Sequence, residues 1–370
     1  MRKTSLAMMA ALDCVDPELG AFITMEPDTA LRAASQAPSG RLEGYVVAVK
    51  DVVDIAGLPT TYGSPRFADH IPSRTAPVVS ALRSEGAVVI GKTNLNEFAL
   101  GVSGYNPHYG PMLCPHDTLR TVGGSSGGSA VAVASGACTL AIGTDTSGSV
   151  RIPAACAGVW GFKCAHGPDL QGVYPLAPTY DSIGYLAARP EILQRLFGIM
   201  NLPEIGKIRV GTIGVDLETP ALPAEHWTLF RAEIWAVHSS DFVSVPETYG
   251  RDIQRHLQFA EQETRLADHG KAREVANTWR QRYFAATRNY DVLVDRVIDG
   301  EPPLLSAAIN DYETGQDQLR ERLLRHTPVA NALGWPALAF PTAYGPRQAM
   351  GRPGSEAALF AVARSLSRRS

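Results

Sequence analysis

The segment at residues 123–155, GGSSGGSAVAVASGACTLAIGTDTSGSVRIPAA, decides how the chain is interpreted. It has seven glycines and six serines among 33 residues, yet its middle is apolar, so it is not a flexible linker. The pattern GSAVAVASG predicts a short helix, and CTLAIGTD predicts a strand that is buried on both faces. We consider three interpretations of this segment: a phosphate-binding loop, a serine-hydrolase elbow, and a site that uses the whole segment together with Lys50.

Similar elements precede this segment. GYVVAVKD (44–51) and GAVVIGKT (86–93) are short apolar runs bounded by turn residues, as in strands that are buried on both faces. The helical pattern APVVSALRSEG (76–86) lies between them, so strand and helix alternate in the first half of the chain. This alternation predicts an α/β fold.

The second half has a different texture. Polar helical stretches without a sustained heptad occupy about residues 219–290, which predicts an outer helical layer. YDVLVD (290–295) and GWPALAFPTA (334–343) are two further strand candidates, so the chain returns to the core. We therefore expect one continuous domain in this chain of 370 residues.

Composition limits the class of partner. The chain has 34 basic and 37 acidic residues, a net charge of -3, and no long run of one sign. This pattern favours a small-molecule partner and argues against nucleic acid or an anionic membrane. The first dozen residues resemble a secretory signal, but Asp13, Asp16 and Glu18 interrupt the apolar run, so an amphipathic helix is predicted instead.

Cysteine usage points to a reducing compartment. The five cysteines are odd in number and show no CxxC spacing, so neither a disulfide framework nor a zinc site is predicted. We expect buried thiols, a cytoplasmic location and no metal site. The cysteines are Cys14, Cys114, Cys138, Cys156 and Cys164.

GAVVIGKT also matches the phosphate-loop pattern GxxxxGK[ST]. A phosphate loop needs several amides turned toward one point, whereas residues 87–90 predict a strand whose amides belong to a sheet. Residues 123–128 have the GxxxxG half, but Ser129 and Ala130 follow where the lysine and the hydroxyl residue should stand. Nucleotide binding is the least favoured alternative.

The serine-elbow pattern GxSxG is matched twice, centred on Ser125 or Ser126. That motif follows a hydrophobic strand, and the preceding CPHDTLRTV is a poor strand. It also needs a downstream histidine, and each candidate histidine is by default a surface or packing residue. The candidates are His166, His226, His238, His256, His269 and His326.

The third interpretation uses three segments together: VAVKD (47–51), GGSSGGSA (123–130) and GTDTSGSVRIPAA (143–155). In this order and spacing they resemble the amidase signature family of serine hydrolases, and GKTNLNEFA and GWPALAFP extend the resemblance over nearly the whole chain. The resemblance implies an α/β fold with a single-domain mixed β-sheet core, covered by helices on both faces. It also implies an enzyme without a metal or organic cofactor.

The resemblance assigns roles to individual residues. Ser149 would be the nucleophile, Ser125 the bridging serine that follows a cis peptide at Gly124, and Lys50 the base. The backbone amides implied for the oxyanion hole are those of Thr146, Ser147 and Gly148, together with that of Ser149. Separately from the resemblance, we interpret Asp145 and Arg151 as buried structural partners behind the reacting groups, and we predict that Ser126 and Ser129 cap the following helix.

The chemistry of Lys50 agrees with this assignment. A serine hydroxyl is a poor nucleophile until a base takes its proton, and a neutral lysine can be that base. Lys50 ends an apolar strand, where burial disfavours the ammonium form, and strand alternation points Asp51 to the opposite face. Because a hydroxyl both donates and accepts, Ser125 can pass the proton from Ser149 to Lys50 and later to the leaving amine.

The predicted domain spans residues 1–370 and has four parts: an N-terminal helical segment (1–40), the catalytic core (41–200), a helical cover (201–290) and the C-terminal return to the core (291–370). The chain reaches its C-terminal motif early, so the cover is abbreviated. A short cover predicts either a more open pocket or a partner, such as a second copy of this chain in a homodimer, that completes the pocket.

Two local features depart from the family. Ser147 stands where the family commonly has glycine, which narrows the loop or adds a hydroxyl at its edge. YDVLVDRVIDGEPP lacks the Thr-Pro-rich run that often lines the family's pocket. The acyl and amine parts of the substrate therefore stay open.

The predicted function is hydrolysis of a carboxamide or related C–N bond in a small-molecule amide, through an acyl-enzyme that releases ammonia or an amine. Two alternatives keep the same three residues. One is a hydrolase of carbamates, urea derivatives or esters. The other is an amidotransferase subunit that passes ammonia to a second active site in a complex.

Overall fold

Ten strands form one sheet in the computed structural model, which describes residues 3–367. Residues 1–2 and 368–370, which the predicted domain includes, lie outside the described residues. The strands are β1 (Phe22–Met25), β2 (Val46–Lys50), β3 (Val88–Thr93), β4 (Tyr105–Asn106), β5 (Gly110–Pro111), β6 (Leu113–Cys114), β7 (Asp117–Thr121), β8 (Leu140–Thr144), β9 (Trp160–Lys163), β10 (Ile183–Ala187), β11 (Val210–Thr212), β12 (Val292–Arg296), β13 (Ala337–Phe340) and β14 (Arg347–Met350).

The α-helices are α1 (Lys3–Asp13), α2 (Pro27–Gln36), α3 (Pro77–Ser84), α4 (Gly127–Ala134), α5 (Arg151–Ala157), α6 (Pro190–Leu196), α7 (Ala224–Ser244), α8 (Arg251–Leu266), α9 (His269–Ala286), α10 (Leu305–Thr314), α11 (Gln318–Leu323), α12 (Pro328–Leu333) and α13 (Glu356–Ser367). Every strand and helix predicted above overlaps one of these elements, with ends that differ by a few residues.

The large sheet is mixed. Its order is β1-β3-β2-β8-β10-β9-β13-β14-β12-β11, and the pairs β4-β5 and β6-β7 stand apart from it. Strand β2 pairs in parallel with both β3 and β8, and β11 pairs in parallel with β12. The other neighbouring pairs are antiparallel. The predicted mixed sheet is confirmed.

Helices cover both faces of this sheet, because both faces of its central strands are apolar. In β2, Val47 and Val49 belong to one core cluster, while Val46 and Ala48 belong to another. The first cluster includes residues of α3, α6, α7, α8 and α13, and the second includes residues of α1, α2, α4, α5 and α10. The predicted fold class is therefore confirmed.

The polar region that was predicted to be an outer layer consists of three long helices, α7, α8 and α9. Helix α8 buries Ile253, Leu257 and Ala260 along one stripe, and charged residues fill much of the rest of its sequence, as in an amphipathic surface helix. Strand β11 also lies in the predicted cover segment, at the edge of the large sheet, so this segment is not helical throughout. The division into four parts remains a prediction.

The predicted N-terminal helix is α1, and it buries Thr4, Ser5, Met8 and Ala11. All five cysteines are free thiols, but Cys14 is exposed because it lies just beyond the end of α1, so the expectation that every thiol is buried was wrong for Cys14. Within residues 3–367, no helix has the length and apolar character needed to cross a membrane.

Candidate active site

Lys50 and Ser125 meet in the interior, where β2 ends and the loop before α4 begins. The Nζ atom of Lys50 lies 2.8 Å from Oγ of Ser125 and 2.8 Å from Oγ1 of Thr144, and it donates to both hydroxyls. Sequence analysis missed Thr144. A signal was available, because Lys50 and Thr144 both end apolar strands, and neighbouring parallel strands end at the same edge of a sheet.

The surroundings of Lys50 favour its neutral form. The side chain is fully buried, and burial lowers the pKa of Lys50 to about 7, although the more distant Asp145 and Asp181 carboxylates act in the opposite direction. Asp51 does not contact it, because this carboxylate forms an ion pair with Lys92 at 2.7 Å. The predicted separation of Lys50 from Asp51 thus agrees with the structure.

Ser149 lies close to this pair through the backbone. The peptide between Gly124 and Ser125 is cis, as the resemblance implies, and the amide of the next residue, Ser126, donates to the carbonyl of Ser149 at 3.0 Å. Ser149 is 6% exposed, and its hydroxyl makes no hydrogen bond within residues 3–367. The structure brings Lys50 and Ser125 into direct contact, whereas a direct link between the Ser125 and Ser149 hydroxyls remains a prediction.

Asp145 shapes the loop that carries Ser149. Its carboxylate accepts from the amides of Gly148 (2.9 Å) and Val150 (3.1 Å). Burial alone would raise the pKa of Asp145, but the charge and hydrogen bonds of Arg151 hold it well below its ordinary value. Asp145 therefore fixes the loop as a buried anion.

This loop requires a correction to the predicted oxyanion hole. The Gly148 amide was expected to face the developing oxyanion, but it is occupied by its hydrogen bond to Asp145. The amides of Thr146, Ser147 and Ser149 make no hydrogen bond within residues 3–367, so they are available as donors. The candidate hole therefore rests on these three amides, and the Gly148 amide is not available to it.

Arg151 connects the loop to the C-terminal segment. It donates to Oδ1 of Asp145 (2.9 Å), to Oδ1 of Asn331 (2.6 Å) and to Oε1 of Gln348 (2.7 Å), and it is fully buried. Sequence analysis missed Asn331 and Gln348. They lie 180 and 197 residues from Arg151, and no local pattern predicts such a contact.

Thr327 adds a second connection, which sequence analysis also missed. Its hydroxyl donates to the carbonyl of Ser147 at 2.6 Å. It also packs so closely against Gly148 that a Cβ there would overlap its side chain. Gly148 has φ +130°, a conformation that residues with a side chain rarely adopt. Only glycine fits this position of the loop.

Ser126 and Ser129 do not cap α4 as predicted. The Ser126 hydroxyl donates to the carbonyl of Thr144 at 3.1 Å and makes no capping bond. The Ser129 hydroxyl donates to the carbonyl of Ile142 at 3.0 Å and pairs with Thr93 at 2.8 Å. Both serines tie α4 to the sheet because their side chains face β8 and not the helix terminus.

The geometry gives little support to the serine-elbow and phosphate-loop interpretations. None of the nine histidines, all within residues 3–367, hydrogen-bonds Ser125, Ser126 or Ser149. His226 and His238 are buried among aromatic rings, and burial lowers the pKa of these two histidines to about 3 and 4. The phosphate-loop candidate is strand β3, and its Lys92 is paired with Asp51.

A small pocket of about 20 Å³, which is room for about one water molecule, lies over Ser149. Thr146 and Ser147 line it from the loop that carries Ser149. Phe230 from α7, Arg320 from α11 and Leu324 line it from the second half of the chain. Of the two predictions made from the abbreviated cover, the more open pocket does not agree with this small volume, and a partner that completes the pocket stays a prediction. Within residues 3–367, no group of three or more His, Cys, Asp or Glu side chains could hold a metal ion.

Related sequences are amidotransferase subunits. A glutamyl-tRNA(Gln) amidotransferase subunit from Anaeromyxobacter sp. (strain K) is 44% identical over 191 residues, which cover 49% of this chain and 39% of that protein. The corresponding subunit from Sulfurisphaera tokodaii is 37% identical over 195 residues, which cover 51% of this chain and 41% of that protein. The chain thus spans about two fifths of the length of these relatives.

Solved structures resemble nearly the whole chain. A crystal structure of an amidase has a TM-score of 0.86 and 26% identity, and the match covers 99% of this chain and 96% of that chain. The S177A variant of Kluyveromyces lactis allophanate hydrolase has the same fold, with a TM-score of 0.82 at 24% identity over 96% of this chain and 69% of that chain. The family model described as Amidase matches residues 4–200, which contain Lys50, Ser125 and Ser149. Because this match exceeds half of the chain, the protein belongs to the amidase family.

Proposed function

We propose that the protein hydrolyses a carboxamide or related C–N bond of a small molecule through an acyl-enzyme on Ser149. The observation that carries the proposal is the buried 2.8 Å hydrogen bond between Lys50 and Ser125. Burial lowers the pKa of Lys50 to about 7, and its amine contacts Ser125. The residue after Ser125, Ser126, is hydrogen-bonded through its amide to the carbonyl of Ser149. No histidine is needed for this chemistry.

In the proposed first step, the Ser149 hydroxyl attacks the substrate carbonyl. In the neutral form of Lys50, the Ser125 hydroxyl donates to the lone pair of Nζ across the same 2.8 Å contact. The Ser149 proton therefore passes to Ser125 while the proton of Ser125 passes to Lys50. The C–O bond forms, and the carbonyl oxygen becomes an oxyanion that the Thr146, Ser147 and Ser149 amides stabilise. The proton then returns through Ser125 to the nitrogen, the C–N bond breaks, and ammonia or an amine departs. Water repeats the sequence on the ester and releases the acid and free Ser149.

Covalent labelling tests the nucleophile. A neutral fluorophosphonate should add its mass to Ser149, and Ser149→Ala should abolish both labelling and amide turnover, a loss on the order of 10⁴-fold or more. Ser135→Ala, at the end of α4, is a matched control that should label at the normal rate. Labelling of Ser126, or turnover by a folded Ser149→Ala variant, would show that the proposal is wrong.

Histidine replacements test the elbow alternative. Replacing His166, His226, His238, His256, His269 or His326 one at a time should leave substantial labelling of Ser149, because none of them contacts the reacting serines. The buried His226 and His238 need a check of folding by circular dichroism. A folded histidine variant that cannot be labelled would favour the elbow.

Product analysis distinguishes the substrates that these three residues can serve. An intact-mass search for an acyl-enzyme across amides, carbamates, urea derivatives and esters gives the acyl group, and analysis of the released amine or alcohol gives the bond that was cleaved. The proposal expects faster acylation by amides than by esters of the same acid, once intrinsic reactivity is taken into account. The opposite order favours the ester or carbamate alternative.

The relatives favour a second candidate, an amidotransferase subunit that acts in a complex. Affinity purification at native expression level tests it. A stoichiometric partner whose removal changes the fate of the released ammonia supports the second candidate. Full amide hydrolysis by the isolated chain supports the first.

A further inference from the structure

Asp181 faces Thr146 at the end of the antiparallel pair β8 and β10. The register of these strands continues by one residue, since Asp145 and Ser182 exchange two backbone hydrogen bonds, at 2.8 and 3.2 Å. Thr146 and Asp181 are the next residues outward, and facing residues of an antiparallel pair have side chains within reach of each other. The Thr146 hydroxyl accordingly donates to Oδ1 of Asp181 at 2.7 Å.

The Asp181 carboxylate contacts two walls of the pocket over Ser149. Besides the bond from Thr146, Oδ2 accepts from the Leu176 amide at 2.9 Å, and Oδ1 accepts from the Ala177 amide at 3.2 Å. Thr146 and Leu176 both line the pocket. One side chain therefore links the loop that carries Ser149 to the segment that precedes β10.

The Thr146 hydroxyl depends on Asp181 for its orientation. It makes no other hydrogen bond within residues 3–367, and Thr146 is buried. Threonine is branched at Cβ, and its χ1 angle is restricted to a few rotamers. A bond that fixes the hydroxyl therefore fixes Cβ and restricts rotation of the Thr146 peptide. The amide of this peptide belongs to the candidate oxyanion hole, and such a donor must lie about 2.7–3.1 Å from the oxyanion.

Asp145 holds a different part of the same loop. Its carboxylate accepts from the amides of Gly148 and Val150, next to the start of α5. Within residues 3–367, none of its side-chain hydrogen bonds reaches Thr146. The two carboxylates therefore divide the loop between them, and the Thr146 end is held by Asp181.

Asp181 also acts on Lys50 through its charge. Burial raises the pKa of Asp181, while its three hydrogen bonds and the charge of Lys50 oppose this effect. Asp145 and Asp181 are the charged groups that raise the pKa of Lys50 against the effect of burial, and the hydroxyls of Ser125 and Thr144 contact its amine. Removal of the Asp181 charge should therefore lower the pKa of Lys50.

We propose that Asp181 is a positioning residue for the proposed hydrolysis, because it holds the Thr146 amide, through the Thr146 hydroxyl, where the oxyanion forms. This inference deepens the proposed function and rests on it. In this role Asp181 accepts hydrogen bonds and exchanges no proton with the substrate.

The kinetics of fluorophosphonate labelling test this role, because the phosphoryl oxygen of the reagent takes the place of the oxyanion. Asp181→Ala should lower the maximal rate of Ser149 labelling by about 10- to 100-fold and leave the half-saturating reagent concentration within a fewfold. Thr146→Val keeps the amide but lacks the hydroxyl, so it should cause a similar loss. The double variant should lose no more than either single variant, because the two residues act as one unit. Losses that multiply overturn the inference.

Conservative variants and a control accompany this comparison. Thr146→Ser keeps the hydroxyl and should label within a fewfold of the wild type. Asp169 accepts from the Gln171 amide at 2.9 Å in an exposed loop, so Asp169→Ala removes a similar bond elsewhere and should label at the normal rate. If circular dichroism shows that Asp181→Ala does not fold, Asp181→Asn takes its place. It keeps one acceptor oxygen, so its expected loss is about 3- to 10-fold.

The pH profile of labelling distinguishes this role from a general loss of packing. Asp181→Asn removes a negative charge that favours the ammonium form of Lys50, so the pH midpoint should move downward. Thr146→Val removes no charge and should keep the wild-type midpoint. A midpoint that stays unchanged or rises in Asp181→Asn shows that Asp181 does not act at the site and overturns the inference. Failure of a fluorophosphonate to label wild-type Ser149 overturns the proposed function instead.

Discussion

Lys50 and Lys92 lie on neighbouring parallel strands and are both fully buried, yet their surroundings differ. Lys50 contacts the hydroxyls of Ser125 and Thr144. Lys92 contacts the hydroxyl of Thr60 at 2.7 Å and the carboxylate of Asp51 at 2.7 Å. Burial lowers the pKa of both lysines, but for Lys92 the contacting carboxylate opposes this effect. A buried lysine can serve as a base when hydroxyls, and not a carboxylate, surround its amine.

A third lysine shows why a lowered pKa does not identify the base. Burial lowers the pKa of Lys163 to about 7, the same value as for Lys50. Lys163 donates to the carbonyls of Cys164 and Trp335, and neither group can relay a proton to a nucleophile. Contact with a serine hydroxyl therefore distinguishes Lys50 from the other two lysines.

The largest expected effect concerns Lys50, the proposed base. Lys50→Ala and Lys50→Arg should each slow fluorophosphonate labelling of Ser149 by roughly 10²- to 10⁴-fold, because a guanidinium cannot accept the proton. Lys92→Arg keeps the charge beside Asp51 and should label within a fewfold of the wild type. If the Lys92 variant lost labelling while Lys50→Arg kept it, the roles of the two lysines would have to be exchanged.

Changes in stability should follow the opposite order to changes in labelling. We expect the larger loss of stability at the Lys92–Asp51 ion pair and the smaller one at Lys50. Asp51→Asn leaves Lys92 buried without its counter-charge and should lower the free energy of unfolding by about 3–5 kcal/mol. Lys50→Met removes a buried amine that has no contacting carboxylate, so we expect little loss of stability or a gain. Urea denaturation of both variants measures the difference. A larger loss for Lys50→Met contradicts the comparison.

The pH dependence should follow Lys50. With a pKa of about 7, its neutral form increases about tenfold per pH unit below pH 7 and levels off above it. The rate of Ser149 labelling should rise with pH in the same way, because the neutral amine is the proposed base, and Lys50→Ala should flatten the curve. A midpoint near the ordinary lysine value would show that Lys50 is charged in the resting protein.

The smallest expected effect is that of replacing Thr144, which contacts Lys50, and Thr60, which contacts Lys92, is its matched counterpart. Thr144→Val removes a hydroxyl that accepts from Lys50 and should slow labelling by about fivefold, since one hydrogen bond is worth about 1 kcal/mol. It should also move the pH midpoint downward, because this hydroxyl favours the ammonium form. Thr60→Val makes the matched change at Lys92 and should leave both the rate and the midpoint unchanged.

Sequence analysis predicted the features of the candidate site that depend on the pattern of neighbouring residues. The run VAVK ends β2 at Lys50, and its alternation puts Asp51 on the opposite face, where the structure has it paired with Lys92. The strand character of GAVVIGKT was enough to reject a phosphate loop. These predictions worked because strand period and burial are readable from a few neighbouring residues.

The remaining parts depend on contacts between distant segments. Asn331 and Gln348 hold Arg151 from far along the chain, and Ser126 and Ser129 bond to β8 and do not cap a helix. Occupation of the Gly148 amide by Asp145 follows from the fold of the loop and not from residue type. A buried polar side chain must find a partner, but the sequence does not say which one.

The contacts of Arg151 have a consequence for synthesis on the ribosome. Gln348, which helps to hold the Ser149 loop through Arg151, is made 199 positions after Ser149. At about 5–20 residues per second, this interval lasts roughly 10 to 40 s. A nascent chain therefore carries Ser149 for that time without the residues that order its loop, and this loop can be fixed only after β14 has been made.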